Sequence, residues 1–577
     1  MYKNRKMFMT AAVLGVSLLC AGTVSAAPRG KNELIQSDSW VYDAMTQLSL
    51  ECGLRNFADC APLSIAELKT YLSEIDYDKL SPAGKAQYDR IESYFKEQNW
   101  SFDSGILSLG IEPSFNPEGY YKSNDDIDWV YDRHERQNII EVPVTLSAGD
   151  WLTLGVDLHL GQNKGQMGHD DNYDNLPLST SQLDVNFPAW SYLSTGYAFS
   201  DTCGTAFQLG MGPQSIGRTE TGSMIQSDYM TGASYGQLAL YSPNLKYVFT
   251  ATQLNVDKYM YMHRFDFRFF KKVTFSFMEA TLTNASLELR YMNPLTVFHG
   301  QAPWRDYGED DSRNGEYMCL KIDWTPVQYL RVYGLFAQDQ FQTSYETENY
   351  GDSLTPNAMG GQLGLESYVP ADEGYVHFAL EGYYAQPYMY IKQSPAWSFM
   401  RTYTDNVGDN QIFYEWVGSP FGPDTIAGEL TVGYEKPEKW SVDLTYLFKA
   451  QGKYSEDCIF GSWSSTDGDG TSSSSWLSSW PYPTEGNGNN IYSLTPTGMP
   501  KYTNRLSIRG TWYATKWLSF TVQPAYVIIF NNKLKKETHE YTDKEGNKTE
   551  YYSWNHAEGT DWGFEIALSV RCMLTKL

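Results

Sequence analysis

Residues 263–277 read HRFDFRFFKKVTFSF, two alternating segments joined by a pair of lysines. Successive side chains of a β-strand point to opposite faces, so the first segment has an aromatic face and a charged face. These faces carry Phe265, Phe267 and Phe269 on one side and Arg264, Asp266 and Arg268 on the other. An aromatic face suits lipid and a charged face suits a wet lumen. We therefore interpret this stretch as one hairpin of an outer-membrane barrel.

The same alternation continues from Ser104 to the end of the chain, with short and long connections in turn. Short turns such as Gly149-Asp150 and Lys271-Lys272 alternate with long polar segments at about 164–188, 213–234, 284–314, 339–358, 387–425, 452–501 and 532–560. Short turns at one end and long loops at the other are typical of transmembrane barrels. We predict an all-β transmembrane barrel of about 18 antiparallel strands over residues 101–577. Two or three of those strands fall between 181 and 240.

Aromatic residues follow several of the short turns directly: Trp151, Tyr375, Trp440 and Trp517. The chain also contains 44 Tyr and 17 Trp. Their rings favour the headgroup layer because each has an apolar body and a polar tip. We predict that these four rings form a girdle at the short-turn end.

Residues 27–100 have helical rather than strand-like periodicity. Ser37-Asp38 can cap a first helix, Ser64 and Glu67 have the spacing of a capping box, and Ser81-Pro82 can open a third helix. Apolar residues follow each start at intervals of three and four. The sequence therefore predicts a small periplasmic α-helical bundle ahead of the barrel.

The first 26 residues have the form of a secretory signal peptide. A basic start at Lys3, Arg5 and Lys6 precedes a mostly apolar run and the small residues Val24-Ser25-Ala26. No other run reaches the roughly 20 apolar residues that a spanning helix needs. We predict an outer-membrane protein with its N-terminal domain in the periplasm and its long loops extracellular.

Charge and cysteine content narrow the possible partners. The net charge of −25 disfavours nucleic acid. Of the seven cysteines, Cys52 and Cys60 are close enough in sequence for a local disulfide in an oxidising compartment. The other cysteines of the mature chain have no metal-ligand spacing, so free thiols are expected.

The order of several segments resembles the capsule-assembly (Wzi-type) outer-membrane family. They are Gly210–Arg218, Met262–Asp266, Glu279–Thr281, Arg290–Pro294 and the hairpin from 315 to 338. The helical region around Trp40, Leu48 and Pro62-Leu63-Ser64 is similar too. The resemblance implies an eighteen-stranded barrel after a periplasmic helical bundle. It also implies a role in holding capsular polysaccharide at the cell surface.

Two outer loops carry the aromatic and planar polar side chains that sugar binding uses. The candidate ligand-binding residues are Trp304, Arg305, Asp306, Tyr307, Trp463, Trp476, Trp480 and Tyr482. The alternative is that these rings pack the loops down onto the barrel mouth, and for any one residue that alternative is favoured.

A second candidate is the row of charged residues on the inward faces of strands. Its members are Arg264, Asp266, Arg268, Arg331, Glu381, Arg505, Arg509, Glu565 and Arg571. They could attract an acidic polymer, since guanidinium binds carboxylate bidentately. They could instead form salt bridges that stiffen or close the lumen, and this structural role is favoured.

Motifs of catalysis and metal binding fail on inspection. Asp467–Gly470 begins like a calcium loop but lacks the glutamate at its twelfth position, and Arg133–Arg136 lacks the second histidine of a zinc helix. We expect no enzyme activity, cofactor or metal.

The predicted function is binding of surface or capsular polysaccharide, to assemble or retain it. Expected partners are that polysaccharide, outer-membrane lipid and other envelope assembly proteins. The alternative is a general porin or an oligosaccharide uptake channel.

Overall fold

The structure is a computed structural model. It describes residues 28–98, 100–163, 173–185, 188–298, 314–341, 343–350, 357–392, 398–404, 412–455, 458, 494–542 and 548–574. The predicted signal peptide, residues 1–26, lies outside this range.

Three helices and three two-residue strands precede the barrel. They are β1 (Leu34–Ile35), α1 (Trp40–Glu51), β2 (Cys60–Ala61), β3 (Leu63–Ser64), α2 (Ile65–Leu72) and α3 (Pro82–Lys96), with a 3₁₀ turn at Tyr77–Lys79. The helices share one apolar cluster that includes Leu48, Leu68 and Ile91. In the described part of the chain, no helix has both the length and the apolar character needed to cross a membrane.

Polar side chains start the three helices. Ser64 Oγ accepts the backbone N–H of Glu67 at 3.2 Å, and Ser81 Oγ accepts that of Gly84 at 3.0 Å. Both are N-caps at the predicted positions. The first helix is capped by Ser39 rather than by Ser37-Asp38.

The remaining elements are strands and one short helix. They are β4 (Trp100–Asp103), β5 (Leu107–Ile111), β6 (Ser114–Phe115), β7 (Glu118–Lys122), β8 (Ile140–Ala148), β9 (Leu152–Leu160), β10 (Ser191–Ser200), β11 (Cys203–Met211), β12 (Ser215–Ile216), β13 (Ser234–Tyr241), β14 (Leu245–Asn255), β15 (Lys258–Phe269), β16 (Val273–Thr283), β17 (Asn314–Trp324), β18 (Leu330–Gln340), α4 (Ser344–Tyr350), β19 (Ala358–Ala371), β20 (Gly374–Ala385), β21 (Met400–Thr404), β22 (Ile412–Trp416), β23 (Thr425–Lys436), β24 (Trp440–Gln451), β25 (Lys501–Thr515), β26 (Leu518–Phe530), β27 (Lys533–Thr542), β28 (Lys548–Ala557) and β29 (Thr560–Met573). A 3₁₀ turn spans Leu289–Met292.

Strands β5–β11, β13–β20, β23–β26 and β29 form a closed antiparallel barrel with eighteen positions, which confirms the predicted barrel of about 18 strands. The short strand β4 pairs with β5, and β12, β21, β22, β27 and β28 belong to separate two-stranded sheets. The first barrel position is an interrupted strand made of β5, β6 and β7. On one side β5 and β6 pair with β8, and on the other side β6 and β7 pair with the last strand, β29. Between 181 and 240 the barrel has three strands, β10, β11 and β13.

The 263–277 hairpin is paired as its alternation predicts. Phe265 lies opposite Phe277 and Phe267 opposite Phe275, and the phenylalanines face outward. The charged residues between them are buried inside the barrel. Positive φ angles at Phe270 and Lys271 give a type I′ turn, one residue earlier than the lysine pair suggested.

Three of the four predicted girdle residues face outward at the short-turn end. Trp151, Trp440 and Trp517 are exposed, but Tyr375 is fully buried in the barrel. Its hydroxyl donates to Glu51 Oε2 of α1 at 2.7 Å. The prediction for Tyr375 was wrong because this residue lies on the inward face of β20.

Three segments fill the barrel interior. The N-terminal helices enter at the short-turn end, where Arg55 N–H donates to the Lys271 carbonyl and Tyr329 N–H to that of Leu50. Segment 212–233 and the described residues of 386–424, which are 386–392, 398–404 and 412–424, fold inward from the long-loop end. They place Met224, Tyr390 and other apolar side chains in one cluster with the barrel wall.

Candidate functional site

The candidate ligand-binding residues of the two outer loops all lie outside the described part of the chain. They are Trp304, Arg305, Asp306, Tyr307, Trp463, Trp476, Trp480 and Tyr482. The assignment of these eight side chains to ligand binding stays a prediction.

The predicted charged row is placed on strands of the barrel. Six of its members are buried: Arg264, Asp266, Arg268, Arg331, Glu381 and Glu565. Arg505 is half-buried beside Glu429 at 3.5 Å, whereas Arg509 and Arg571 are exposed. Most of the row is therefore taken up by contacts inside the barrel.

Ion pairs join the barrel wall to the N-terminal helices. Arg268 binds Glu74 bidentately, with N–O distances of 2.5 and 2.7 Å, and Arg55 Nε lies 2.8 Å from Asp323 Oδ1. Two further buried pairs link Lys246 to Glu67 and Lys321 to Asp59. These contacts hold the helices across the short-turn end.

The predicted disulfide between Cys52 and Cys60 is absent, because both residues are free thiols. Cys52 caps the C-terminus of α1 and packs against the helical cluster. Cys60 instead lies in β2, which pairs with β12 of the inserted segment, and belongs to the cluster in the barrel interior. The two side chains therefore pack into different apolar clusters.

The interior leaves little free space where β2 meets the inserted segment. The cavity lined by Cys60, Gln214, Thr250 and Arg264 has a volume of about 10 Å³. That is room for about one water molecule.

Side chains from three segments meet at the long-loop mouth, around Glu415 of β22. Its carboxylate is almost fully buried and accepts Thr231 N–H at 2.8 Å and the Tyr403 hydroxyl at 2.9 Å. Arg133 Nη2 lies 3.5 Å from Glu415 Oε1, and Arg401 Nη1 lies 3.9 Å from Glu415 Oε2. One carboxylate thus organises residues from segments 123–139, 212–233 and 400–416.

Aromatic rings lie beside the two guanidinium groups. The guanidinium of Arg133 lies 4.5 Å from the Phe413 ring centre, and that of Arg401 lies 4.4 Å from the Tyr403 ring centre. The rings of His134 and Tyr229 are 4.5 Å apart. We name this group the mouth cluster: the partly exposed residues Arg133, His134, Tyr229, Arg401 and Tyr403, and the buried Glu415 at their centre.

Burial keeps the mouth cluster in defined ionisation states. Burial raises the pKa of Tyr229 and of Tyr403, so both hydroxyls stay protonated. Burial lowers the pKa of Arg401, and the neighbouring Glu415 opposes that change. The cluster combines flat rings, planar guanidinium groups and phenolic hydroxyls on partly exposed residues, a combination suited to sugar rings and their hydroxyls.

The sequence drew attention to one segment of the mouth cluster, but it did not show that these residues meet in the fold. Arg133–Arg136 was considered only as an incomplete zinc-binding motif. Alternation in residues 400–404 and 412–416 is a signal for a small hairpin within a long loop, and it was missed. The meeting of Arg133 with Glu415, 282 positions apart, depends on barrel closure.

No protein-family profile and no curated protein matches the chain. Among solved structures, the chain is similar to Wzi, an outer membrane protein involved in group 1 capsule assembly in Escherichia coli and described as a carbohydrate-binding β-barrel. The TM-score is 0.53 and the identity 11%, over 94% of this chain and 99% of Wzi. This likeness shows a shared fold, a β-barrel of the outer-membrane type.

Two further barrels are similar at lower scores. OmpT of Vibrio cholerae has 7% identity and a TM-score of 0.29, over 82% of this chain and 99% of its own. An anion-selective porin from Comamonas acidovorans has 6% identity and a TM-score of 0.31, over 81% of this chain and 100% of its own. At these scores neither carries an argument about function.

Proposed function

We propose that this protein is a non-enzymatic outer-membrane barrel that binds surface or capsular polysaccharide and helps to assemble or retain it. The observation that carries the proposal is the mouth cluster, where Tyr229, Tyr403 and two guanidinium groups are partly exposed around Glu415. Wzi, which shares the fold, is described as carbohydrate-binding and involved in capsule assembly. In this proposal the long loops are extracellular and the helices periplasmic.

The filled interior favours a protein that retains a polymer at the surface over one that lets the polymer pass through the barrel. The helices bind the wall at the short-turn end through pairs such as Arg268–Glu74, and the inserted segments bury Met224 and Tyr390 at the other end. A general porin or uptake channel needs an open lumen instead. The competing channel function therefore predicts a steady conductance, which the polysaccharide-binding function does not.

Binding of purified protein to surface polysaccharide from its source cells tests the proposal directly. We expect the Arg401→Ala and Tyr403→Ala variants to lose binding, because both are partly exposed residues of the mouth cluster. Tyr77→Ala is a matched control, since Tyr77 is an exposed ring in the helical region at the other end. Equal binding by all three variants would contradict the assignment of the site.

Deletion of the gene tests the cellular role. We expect imaging to show surface polysaccharide that is shed or disordered in the deletion strain and restored by the wild-type gene. Incubation of pure protein with the polysaccharide is expected to release no fragments. Unchanged retention of every surface glycan in the deletion strain would rule out the proposed role.

A further inference from the structure

Three potential metal ligands converge inside the barrel, away from the mouth cluster. Glu220 comes from the inserted segment 212–233, Glu366 from β19 and His377 from β20. One ligand atom of each lies within 4.8 Å of the corresponding atoms of the other two. His377 Nε2 is 4.0 Å from Glu366 Oε1. Small side-chain rotations can bring such atoms to coordination distance around one ion.

The His377 ring is held in one orientation with one nitrogen left free. It stacks on Tyr368 with ring centres 4.3 Å apart and an interplanar angle of 5°. Its Nδ1 faces Asp443 Oδ1 at 3.8 Å, while its Nε2 is buried and has no hydrogen-bond partner among the described residues. A carboxylate behind one nitrogen and an open second nitrogen are the arrangement found around metal-binding histidines.

Each of the two carboxylates also has a free oxygen. The Glu366 side chain is 2% exposed, and its Oε2 pairs with Arg331 Nη1 at 2.6 Å. Its Oε1 faces His377 and accepts no hydrogen bond from the described residues. Glu220 is positioned through its backbone N–H, which donates to Glu381 at 3.0 Å, while its carboxylate accepts no hydrogen bond within the described chain.

Negative charge exceeds positive charge around these ligands. The neighbouring carboxylates are those of Glu381, Glu429 and Asp443, and the neighbouring cations are Arg218, Arg331 and Arg505. Counted together with Glu220 and Glu366, the carboxylates number five against three guanidinium groups. A bound cation would offset this excess charge.

We propose that Glu220, Glu366 and His377 bind a divalent transition-metal ion, for which Zn²⁺ is the best match. Two carboxylate oxygens and one imidazole nitrogen suit this ion, whereas calcium and magnesium prefer oxygen ligands only. Because Glu220 lies on the inserted segment and the other two ligands on the wall, the ion ties that segment to β19 and β20. This site does not depend on the proposed polysaccharide function.

Equilibrium dialysis of untagged, chelator-stripped wild-type protein against Zn²⁺ tests the proposal. We expect one tightly bound ion per chain. His377→Gln and Glu220→Gln should each weaken binding by at least about tenfold. Asp443→Asn, which removes the carboxylate behind His377 Nδ1 and its charge, should weaken it by about tenfold. Glu373→Gln is the matched control, because Glu373 is an exposed carboxylate in a short turn.

A spectroscopic readout keeps the test decisive if a ligand variant does not fold. Co²⁺ bound to the wild-type protein should give an X-ray absorption spectrum with one histidine nitrogen in its first coordination shell. A wild-type protein that retains no Zn²⁺ after dialysis would overturn the proposal. So would a bound ion with no histidine ligand, or equal affinity in Glu220→Gln and wild type.

Discussion

Glu415 is the residue on which the mouth cluster depends. Its buried carboxylate accepts hydrogen bonds from Thr231 and Tyr403 and lies near the guanidinium groups of Arg133 and Arg401. Glu415→Gln keeps the shape of the side chain and removes its charge, which leaves two guanidinium groups without their counterion. We expect polysaccharide affinity to fall about tenfold, equivalent to roughly 1.4 kcal/mol, measured by titration of the purified barrel.

Glu438→Gln is the control for that change, since Glu438 is an exposed carboxylate in a turn at the opposite end. Both variants should keep the wild-type unfolding temperature within a few degrees. Undiminished affinity in Glu415→Gln would show that the mouth cluster is not the binding surface.

Tyr375 shows how a local pattern can mislead when strand phase is ignored. It follows a short turn, as Trp440 does, and for that reason was assigned to the girdle. Its phase is that of His377 and Glu381, however, so it points inward with the polar face of β20. The alternation within residues 375–381 was sufficient to show this.

Tyr375→Phe is expected to destabilise the folded protein by about 1 kcal/mol, since the buried Glu51 carboxylate loses a donor. Trp440→Phe, which changes an outward-facing ring, should leave the docking of α1 unchanged. Thermal unfolding in detergent measures the difference. A Tyr375→Phe variant as stable as the wild type would mean that the hydrogen bond to Glu51 contributes nothing net.

At the scale of elements, the docking of the helices depends on buried ion pairs. Asp59, which precedes β2, pairs with Lys321 of β17, and both side chains are fully buried. Asp59→Asn leaves the Lys321 charge unpaired and is expected to cost about 3–5 kcal/mol. Asp59→Asn combined with Lys321→Met should recover much of that loss. Asp76→Asn, at an exposed pair, is the control and is expected to leave the unfolding temperature unchanged.

The contribution of Asp59 to stability should depend on pH in one direction. Burial alone would raise its pKa, but Lys321, followed by Arg55, lowers it below the ordinary value. A lowered pKa in the folded state means stability that is present above about pH 4 and lost as the pH falls further. The stability gap between wild type and Asp59→Asn should therefore be constant above about pH 5 and narrow in stronger acid.

Unfolding temperatures of the two proteins at a series of pH values measure this gap. A gap that widens toward low pH would contradict the assignment of Asp59 as the ionised partner.

Strands and loops could be predicted because their signals are local. The alternation of Arg264 to Phe269 shows which face points outward, and the predicted loop limits at 387–425 differ by one residue from the observed segment 386–424. The partners of the inward charges could not be predicted in the same way. Asp59 and Lys321 are 262 positions apart, and their pairing requires the helices to lie inside the closed barrel.

At the scale of the whole molecule, the filled interior predicts how well the barrel conducts ions. The wild-type protein in planar bilayers is expected to show no large steady conductance, because helices occupy one end and the segments around Met224 and Tyr390 occupy the other. A general porin measured in the same bilayers is the positive control. A conductance matching that control would favour the channel function over polysaccharide binding.

The N-terminal helices, together with the segments before and between them, contact the barrel around most of its circumference. Their partners include Glu112 near the first position, Asp157 in β9, Lys246 in β14, Lys321 in β17, Tyr375 in β20 and Glu435 in β23. Any flattening of the cross-section must lengthen at least one of these contacts. The helical region therefore braces the barrel across its lumen and resists deformation to an oval cross-section. A force applied to the long loops acts on a barrel that is stiffened from within.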